Sequence, residues 1–463
     1  MSGLFGIVSS KDCRQSLFYG TDYHSHLGTK KAGLAVFNHQ LTRCIHDIST
    51  SQFKSKFIEE LPKLKGKKGI GVISDFDSQP IIISCSFGNF AIATSGLLRN
   101  KNELAKEIMS QGGSFSEMSS GMINATEVIG KLVAGKNNIV SGMEYVFSRI
   151  TGSISLLVLS REGVYAGRDC SGKTTLVAGK KDETLAVTSE TCAFPNLGFE
   201  PVMELQPGEI VLLSREGLKK ENSSKNNNKV CSFLWIYTGY PASSYEGINV
   251  EKVRENCGAN LARDDNIEAD LVTGVPDSGT AHALGYSMSS GIPYRRPLVK
   301  YTDGYGRSYT PPSQEIRNKV AKLKLIPIKS VIEDKRIIVC DDSIVRGTQL
   351  RNQAIEKLWR NGAREIHARI ACPPLMFPCP YLLATRTKKE LVARRVIRQI
   401  TGEKQSDIEP FLNENSPQYR AMVKVIQKEL GVTSLKYQTI DDMVKAIGLP
   451  GEKLCLYCWN GKE

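Results

Sequence analysis

The stretch Ile337-Ile-Val-Cys-Asp-Asp-Ser-Ile-Val-Arg-Gly-Thr348 decides the fold of this chain. An apolar run feeds two adjacent carboxylates and then a short Ser/Arg/Gly/Thr loop, the pattern of strand, phosphate loop and helix. Arg336 to Cys340 is expected to be a buried strand of a parallel sheet. From Gln349 onward, Leu350, Ala354, Ile355 and Leu358 recur at helical spacing until Asn361-Gly362 stops the helix. The loop then lies at a strand's carboxyl end and a helix N-terminus. Open α/β sheets bind ligands there, because unpaired N–H groups and the positive end of the helix dipole favour a phosphate. Asp341 and Asp342 cannot take that phosphate themselves; they suit ribose hydroxyls or a magnesium ion.

The octet Asp341 to Thr348 resembles the phosphoribosyl pyrophosphate (PRPP) loop of type I phosphoribosyltransferases, in the form found in the glutamine PRPP amidotransferase family. The resemblance implies that Asp341, Asp342, Ser343, Ile344, Val345, Arg346, Gly347 and Thr348 bind PRPP.

The chain has 463 residues, 41% of them hydrophobic, enough for two cores. No apolar segment reaches the length of a membrane span, and Met1-Ser-Gly-Leu-Phe-Gly-Ile-Val lacks the features of a signal peptide, so a cytoplasmic location is expected. Twelve scattered cysteines without a secretion signal argue for thiols or metal ligands over disulfides. The net charge of +13 suits an anionic ligand. Without aromatic and basic residues interleaved, it does not point to nucleic acid.

Residues 1 to 229 alternate short β-rich runs with turns, as in Gly69-Ile-Gly-Val-Ile-Ser74, Phe90 to Ser95, Ser153 to Leu159 and Gly208 to Leu213. Helical stretches are expected near Lys101 to Gln111 and Thr126 to Val133. The polar run Glu221 to Lys229 reads as a linker. Beyond it, 230–463, strands and helices alternate, with apolar runs at Ala269 to Val275 and Arg336 to Cys340, the pattern of a parallel sheet wrapped by helices.

The first half also resembles the amidotransferase family, which implies a four-layer αββα Ntn-hydrolase-like (class II glutamine amidotransferase) domain. The expected fold class is therefore α+β followed by α/β. The family's processed start, Cys-Gly-Ile-Phe-Gly-Ile, is here Ser2-Gly-Leu-Phe-Gly-Ile7. Its His-Arg-Gly-Gln is His26-Leu-Gly-Thr29, and its Gly-Ile-Gly-His-x-Arg is Gly69-Ile-Gly-Val-Ile-Ser74. Its His-Asn-Gly is Thr94-Ser-Gly96, and its Asp-Ser-Glu is Ala125-Thr-Glu127. Scaffold residues persist around the losses, among them Gly28, Gly33, Gly71, Gly96, Glu127, Arg168-Asp169 and Ser189-Glu-Thr-Cys192.

Each lost residue had a chemical task. A hydroxyl needs a stronger base than a thiol does. Ser74 cannot clamp a carboxylate as arginine does, Ser95 offers no amide to an oxyanion, and Ala125 cannot hold an ammonium. The expectation is a degenerate glutaminase retained as scaffold. Removal of Met1 would expose Ser2 as an N-terminal nucleophile, but with the substrate clamps gone.

The second half follows the family more closely. In Gly274-Val-Pro-Asp-Ser-Gly279, Ser278 matches the residue that joins the two aspartates, here Asp341 and Asp342, around magnesium. Lys300, Tyr305 and Arg307 resemble the loop that closes over PRPP, with Lys300 and Arg307 implied on pyrophosphate; the segment between them carries one residue more than the pattern. Gln314 and Arg317 follow at the family spacing. The family aspartate after the Cys379 motif is replaced by Ala384. Arg386 to Arg398 reads as a basic helix with a solvated face.

Cys455-Leu-Tyr-Cys458 is by spacing compatible with zinc, redox or iron–sulfur chemistry. Together with Cys231 and Cys379 it matches the cysteines of the family's cluster-bearing branch, which implies a [4Fe–4S] cluster of structural role. Cys340 and Cys372 read as buried small hydrophobes.

The resemblance implies a magnesium- and PRPP-dependent phosphoribosyltransferase acting on ammonia or another amine, with a homo-oligomeric (dimer or tetramer) assembly. The rival expectation is a non-catalytic PRPP- or nucleotide-binding paralogue that regulates a true amidotransferase as a hetero-oligomer.

Overall fold

The computed structural model describes residues 2–119, 121–223, 229–301, 324–382, 385, 387–402 and 407–462. The chain forms two compact units: the first takes the chain up to Cys231 together with Ala242–Glu246 and a short piece from Pro380, the second takes the rest. Among the described residues no helix is long and apolar enough to cross a membrane.

In the first unit the strand Ser2–Val8 is buried along its whole length, because its two faces feed two different cores. Leu4 and Val8 enter one core with Ala91, Leu157 and Val211; Phe5 and Ile7 enter another with Leu17, Phe18, Phe53 and Phe57. Alternation of side chains along a strand requires this split. The strand lies inside a seven-stranded sheet ordered Glu200–Glu204, Val177–Lys181, Thr184–Thr188, Ser2–Val8, Lys68–Ser74, Lys31–Asn38, Gln40–Asp47. A six-stranded sheet, ordered Gly217–Lys220, Ile210–Ser214, Val164–Arg168, Gly152–Leu159, Gly88–Leu98, Ile81–Cys85, faces it across the Leu4 core. Helices Arg14–Asp22 and Phe53–Phe57 cover the outer face of the first sheet. Lys101–Ser110, Ala125–Ala134 and Ile139–Arg149 cover that of the second. Three cores between four layers make the unit αββα. Asn124 caps Ala125–Ala134 by accepting the N–H groups of Thr126 and Glu127, so that helix starts one residue earlier than its apolar periodicity indicates.

The second unit is built on four parallel strands in the order Leu271–Gly274, Arg336–Asp341, Glu365–Ile370, Ser434–Tyr437. Val250–Arg263 and Thr280–Ser290 cross where Gly258 and Gly285 meet the opposite backbone: a Cβ on either would stand 1.9 Å from a carbonyl oxygen of the other helix. The strand Arg336–Asp341 runs one residue further than its apolar stretch. After the loop, helix Thr348–Leu350 widens into a π turn at Arg351–Ile355 and resumes as Glu356–Arg360. The apolar face read from the sequence is the buried one: Leu350, Ala354, Ile355 and Leu358 all lie in the core against Ile337, Val339 and Ile366. Gly362, at φ 86°, ends the helix in a conformation suited to glycine. The linker residues 224–228 lie outside the described residues.

Candidate functional site

The strand Arg336–Asp341 delivers Asp341 and Asp342 side by side into the buried carboxyl end of the sheet, 8% and 5% exposed. Burial, reinforced by the charge of Asp342, pushes the Asp341 carboxyl well above the usual carboxylate range. Burial also raises Asp342, against hydrogen bonds from Ser278 and Ser343. Asp341 Oδ1 accepts the N–H of Asp342 at 3.0 Å, and Ser343 Oγ lies 2.5 Å from Asp342 Oδ2. Two carboxylates crowded in low dielectric favour a bound cation, and Ser278 adds a third oxygen. The set read from the sequence for magnesium thus comes together around Asp342, and its donors fit a hard cation.

Beyond the pair, Ile344 is buried in the core while Arg346 and Thr348 are exposed. Among the described residues, no protein acceptor takes the backbone N–H groups of residues 343–347. The carbonyls are used: Val345 C=O accepts from Val392 at 2.7 Å and Gly347 C=O from Arg351 at 3.0 Å. The loop is therefore held by its oxygens and offers its nitrogens, the arrangement a phosphate needs. Arg346 does not point its charge into the loop; its guanidinium pairs with Glu390 at 2.7 Å. Gly347 adopts φ 80°, ψ −29°.

Lys300 ends the strand Leu298–Lys300 and pairs with Asp277, next to Ser278. Tyr305, Arg307, Gln314, Arg317, Ala384 and Arg386 lie outside the described residues. Lys388–Glu390 forms a short turn before the helix Val392–Thr401. Cys340 and Cys372 are fully buried, and burial drives both thiols up in pKa, away from reactivity.

The cysteine segments of the second unit are tied through backbone. Cys458 C=O accepts from Met376 N at 2.9 Å and Phe377 N at 3.1 Å, two residues before Cys379. Ser232 Oγ donates to Cys455 C=O at 3.1 Å. Among the described residues no group of three or more His, Cys, Asp or Glu side chains is placed to hold a metal ion.

In the first unit Ser2, Ser74 and Ser95 meet as a closed set. Ser2 Oγ donates to Ser74 Oγ at 3.2 Å, Ser95 Oγ donates to the Ser2 carbonyl at 2.5 Å, and all three are buried. The persisting residues have mechanical work that explains their retention. A Cβ on Gly71 would stand 1.9 Å from Thr21 Oγ1, and one on Gly33 would stand 2.0 Å from Gln79 O. Asp169 accepts the N–H groups of Ile154 and Gly172, Ser189 Oγ accepts that of Leu4, and Glu127 accepts those of Ser116 and Glu117.

Sequence reasoning missed two buried networks. Glu190, 2% exposed, binds His26 at 2.7 Å, Tyr245 at 2.7 Å and Ser243 at 3.2 Å. Burial alone would raise its pKa, but the charge and hydrogen bond of His26 pull it down to about 2. Arg254, 3% exposed, donates to the carbonyls of Trp235, Tyr237 and Gly239. Glu190 stood in the sequence only as part of the persisting segment Ser189-Glu-Thr-Cys192, and nothing local to either residue names its partners.

A four-layer αββα unit continued in one chain by a parallel sheet with a strand–loop–helix phosphate cradle defines an Ntn-hydrolase domain joined to a phosphoribosyltransferase domain. The model of the glutamine amidotransferase domain matches residues 69–196. The amidophosphoribosyltransferase of Methanocaldococcus jannaschii is 32% identical over 100% of this chain and 97% of its own; that of Bacillus subtilis is 32% identical over 99% and 93%. The solved glutamine PRPP amidotransferase of B. subtilis, complexed with ADP and GMP, superposes with a TM-score of 0.85 at 32% identity, covering 99% of this chain and 96% of that one. A second structure, described as the allosteric regulatory enzyme of purine biosynthesis, has the same TM-score at 31% identity, covering 99% and 95%. This chain belongs to the amidophosphoribosyltransferase family.

Proposed function

We propose that this protein transfers the phosphoribosyl group of Mg-PRPP to ammonia or another amine, and that its first unit does not hydrolyse glutamine. The observation that carries the reading is the loop 341–348, with its buried carboxylate pair and its unengaged amides. The amides of residues 343–348 hold the 5-phosphate, and Asp341 and Asp342 face the ribose and, with Ser278, the metal. Magnesium, when bound, lowers the charge on the departing pyrophosphate. Lys300 and Arg307 would take the pyrophosphate itself.

In the transfer, the bond from the anomeric carbon to pyrophosphate breaks with its electron pair leaving on oxygen. The nitrogen lone pair makes the new bond, and the nitrogen gives up a proton. With ammonia the product is phosphoribosylamine, which fits the purine biosynthesis named for a structural neighbour. Loss of glutaminase chemistry is supported by the closed hydroxyl set of Ser2, Ser74 and Ser95, which leaves no thiol, guanidinium or amide for glutamine. Cys231, Cys379, Cys455 and Cys458 are proposed to hold a [4Fe–4S] cluster that ties the C-terminus down, supported by the bonds joining the Phe377 and Cys458 segments. A homo-oligomer is proposed on the family resemblance.

The test is pyrophosphate release from Mg-PRPP with ammonium, with glutamine, and with neither. Release with ammonium alone supports the whole reading, and release with glutamine overturns the loss of glutaminase. PRPP binding without release favours the PRPP-sensing paralogue, whose partner would be a true amidotransferase.

A further inference from the structure

The second half of the chain gives five residues back to the first unit: Ala242–Glu246, a strap whose neighbours on either side belong to the second unit. The first unit grips it through two of the segments that persist around the lost glutaminase positions, Arg168-Asp169 and Ser189-Glu-Thr-Cys192. Glu190 Oε1 accepts the Tyr245 hydroxyl at 2.7 Å, and Oε2 accepts that of Ser243 at 3.2 Å. Thr191 Oγ1 accepts the N–H of Ser244 at 2.8 Å, Ser243 Oγ accepts that of Cys192 at 3.3 Å, and Arg168 pairs with Glu246 at 3.4 Å. Glu190, Arg168, Ser243 and Tyr245 are 2% exposed or less. Buried hydrogen bonds to a carboxylate are the strong kind, so the strap is held firmly.

A short, stiff path runs from the strap to the loop 341–348. Glu246 and Gly247 both take positive φ, 49° and 72°, the geometry of a tight two-residue turn. Asn249 then caps the helix Val250–Arg263 by accepting Lys252 N at 3.0 Å, and its Nδ2 donates to Pro241 C=O at 3.1 Å. One turn further on stands Arg254, whose charge favours the ionised form of Asp342 against the effect of burial. The helix cannot slide against Thr280–Ser290, because Gly258 and Gly285 already bring the two backbones together and His282 Nδ1 lies 3.1 Å from Arg254 C=O. Thr280–Ser290 begins two residues after Ser278. A displaced strap therefore moves Arg254 behind Asp342 and, through the second helix, Ser278.

We propose that Glu190 is a positioning residue for the Mg-PRPP site: by holding the strap it fixes the helices that carry Arg254 and lead from Ser278. Arg168 shares the task through Glu246. The inference rests on the transferase reading given above and gives the first unit a part in that reaction in place of hydrolysis. Groups that bind a ligand must be held within about 0.5 Å of their working positions, so a small shift of either helix weakens binding. By linkage, bound Mg-PRPP tightens the strap in return.

The experiment uses the full-length protein and measures Mg-PRPP affinity by titration calorimetry, the unfolding midpoint, and amide hydrogen exchange. Tyr245→Phe keeps the ring and removes one hydroxyl. It should weaken Mg-PRPP binding about 3- to 10-fold, the worth of one hydrogen bond, and raise KM for PRPP without moving KM for ammonium. Glu190→Gln turns an acceptor into a donor and should weaken binding more; should it fail to fold, Tyr245→Phe carries the test. In wild type, Mg-PRPP should slow exchange of the amides of residues 243–246, and Tyr245→Phe should lessen that protection. Phe147→Leu, in the core between the six-stranded sheet and its helices, is the control: it should lower the unfolding midpoint and leave the affinity alone. If Tyr245→Phe lowers the midpoint with Mg-PRPP affinity unchanged, the strap is an anchor only and this inference alone is overturned. Equal weakening by Tyr245→Phe and Phe147→Leu overturns it too, as general destabilisation. A wild type that binds no Mg-PRPP overturns the transferase reading and this one together.

Discussion

Gly347 offers the sharpest quantitative test of the loop. Its φ of 80° lies where a side chain is strained, whereas the space around it is open: a Cβ would meet nothing nearer than Leu430 Cδ2 and Val392 Cγ2, both at 3.7 Å. A substitution is therefore opposed by dihedral strain and not by collision. For an ordinary L-residue that strain is about 1–2 kcal/mol, which corresponds to about 5- to 30-fold in affinity if the loop must adopt this shape to hold phosphate. Gly347→Ala should weaken Mg-PRPP binding by that factor in titration calorimetry, and Gly347→Val by more, because branching at Cβ narrows the choice further. The unfolding midpoint should hardly change, since the unbound loop can relax. Gly347→Asn is the control, because asparagine tolerates left-handed backbone and should recover most of the affinity. Asparagine binding as weakly as valine would refute the dihedral argument and point to contact between phosphate and Cβ. Valine binding as tightly as glycine would remove the loop from PRPP recognition altogether.

Asp342→Asn keeps the size of a buried side chain and removes one of two carboxylates, so Mg-PRPP binding by calorimetry should fall at least 100-fold with circular dichroism unchanged. Ser2→Cys alone should not create glutaminase activity, measured as glutamate formed in the presence of PRPP, because Ser74, Ser95 and Ala125 leave the substrate unheld. Anaerobically purified protein should carry about four irons per chain by metal analysis; stoichiometric zinc instead would reject the cluster. Burial lowers His282 from 6.5 to about 3, helped by Arg254, and His24 to about 4. The unfolded chain thus takes up these protons first, and the stability present above pH 6.5 is lost progressively as pH falls toward 3. From pH 6.5 to 5 each histidine should withdraw on the order of 2 kcal/mol by denaturant titration, and His282→Gln should flatten that slope.

The sequence by itself determined the parts whose chemistry is local. The loop 341–348 was legible because a buried strand, a phosphate cradle and a helix N-terminus each leave their mark within a dozen consecutive residues. The apolar face Leu350, Ala354, Ile355, Leu358 was legible because one helix repeats every 3.6 residues. The altered positions Ser2, Ser74, Ser95 and Ala125 could be read singly, since each residue type lacks a particular chemical capacity. Tertiary structure alone decided that three of those positions close on one another as a hydrogen-bonded set, because the strands Ser2–Val8, Lys68–Ser74 and Gly88–Leu98 are far apart in the chain. The same holds for Glu190 with His26 and Tyr245, and for Arg254 under the carbonyls of Trp235, Tyr237 and Gly239. A buried charge carries no periodic signature of its own, and its partners are fixed only when the fold has closed around it.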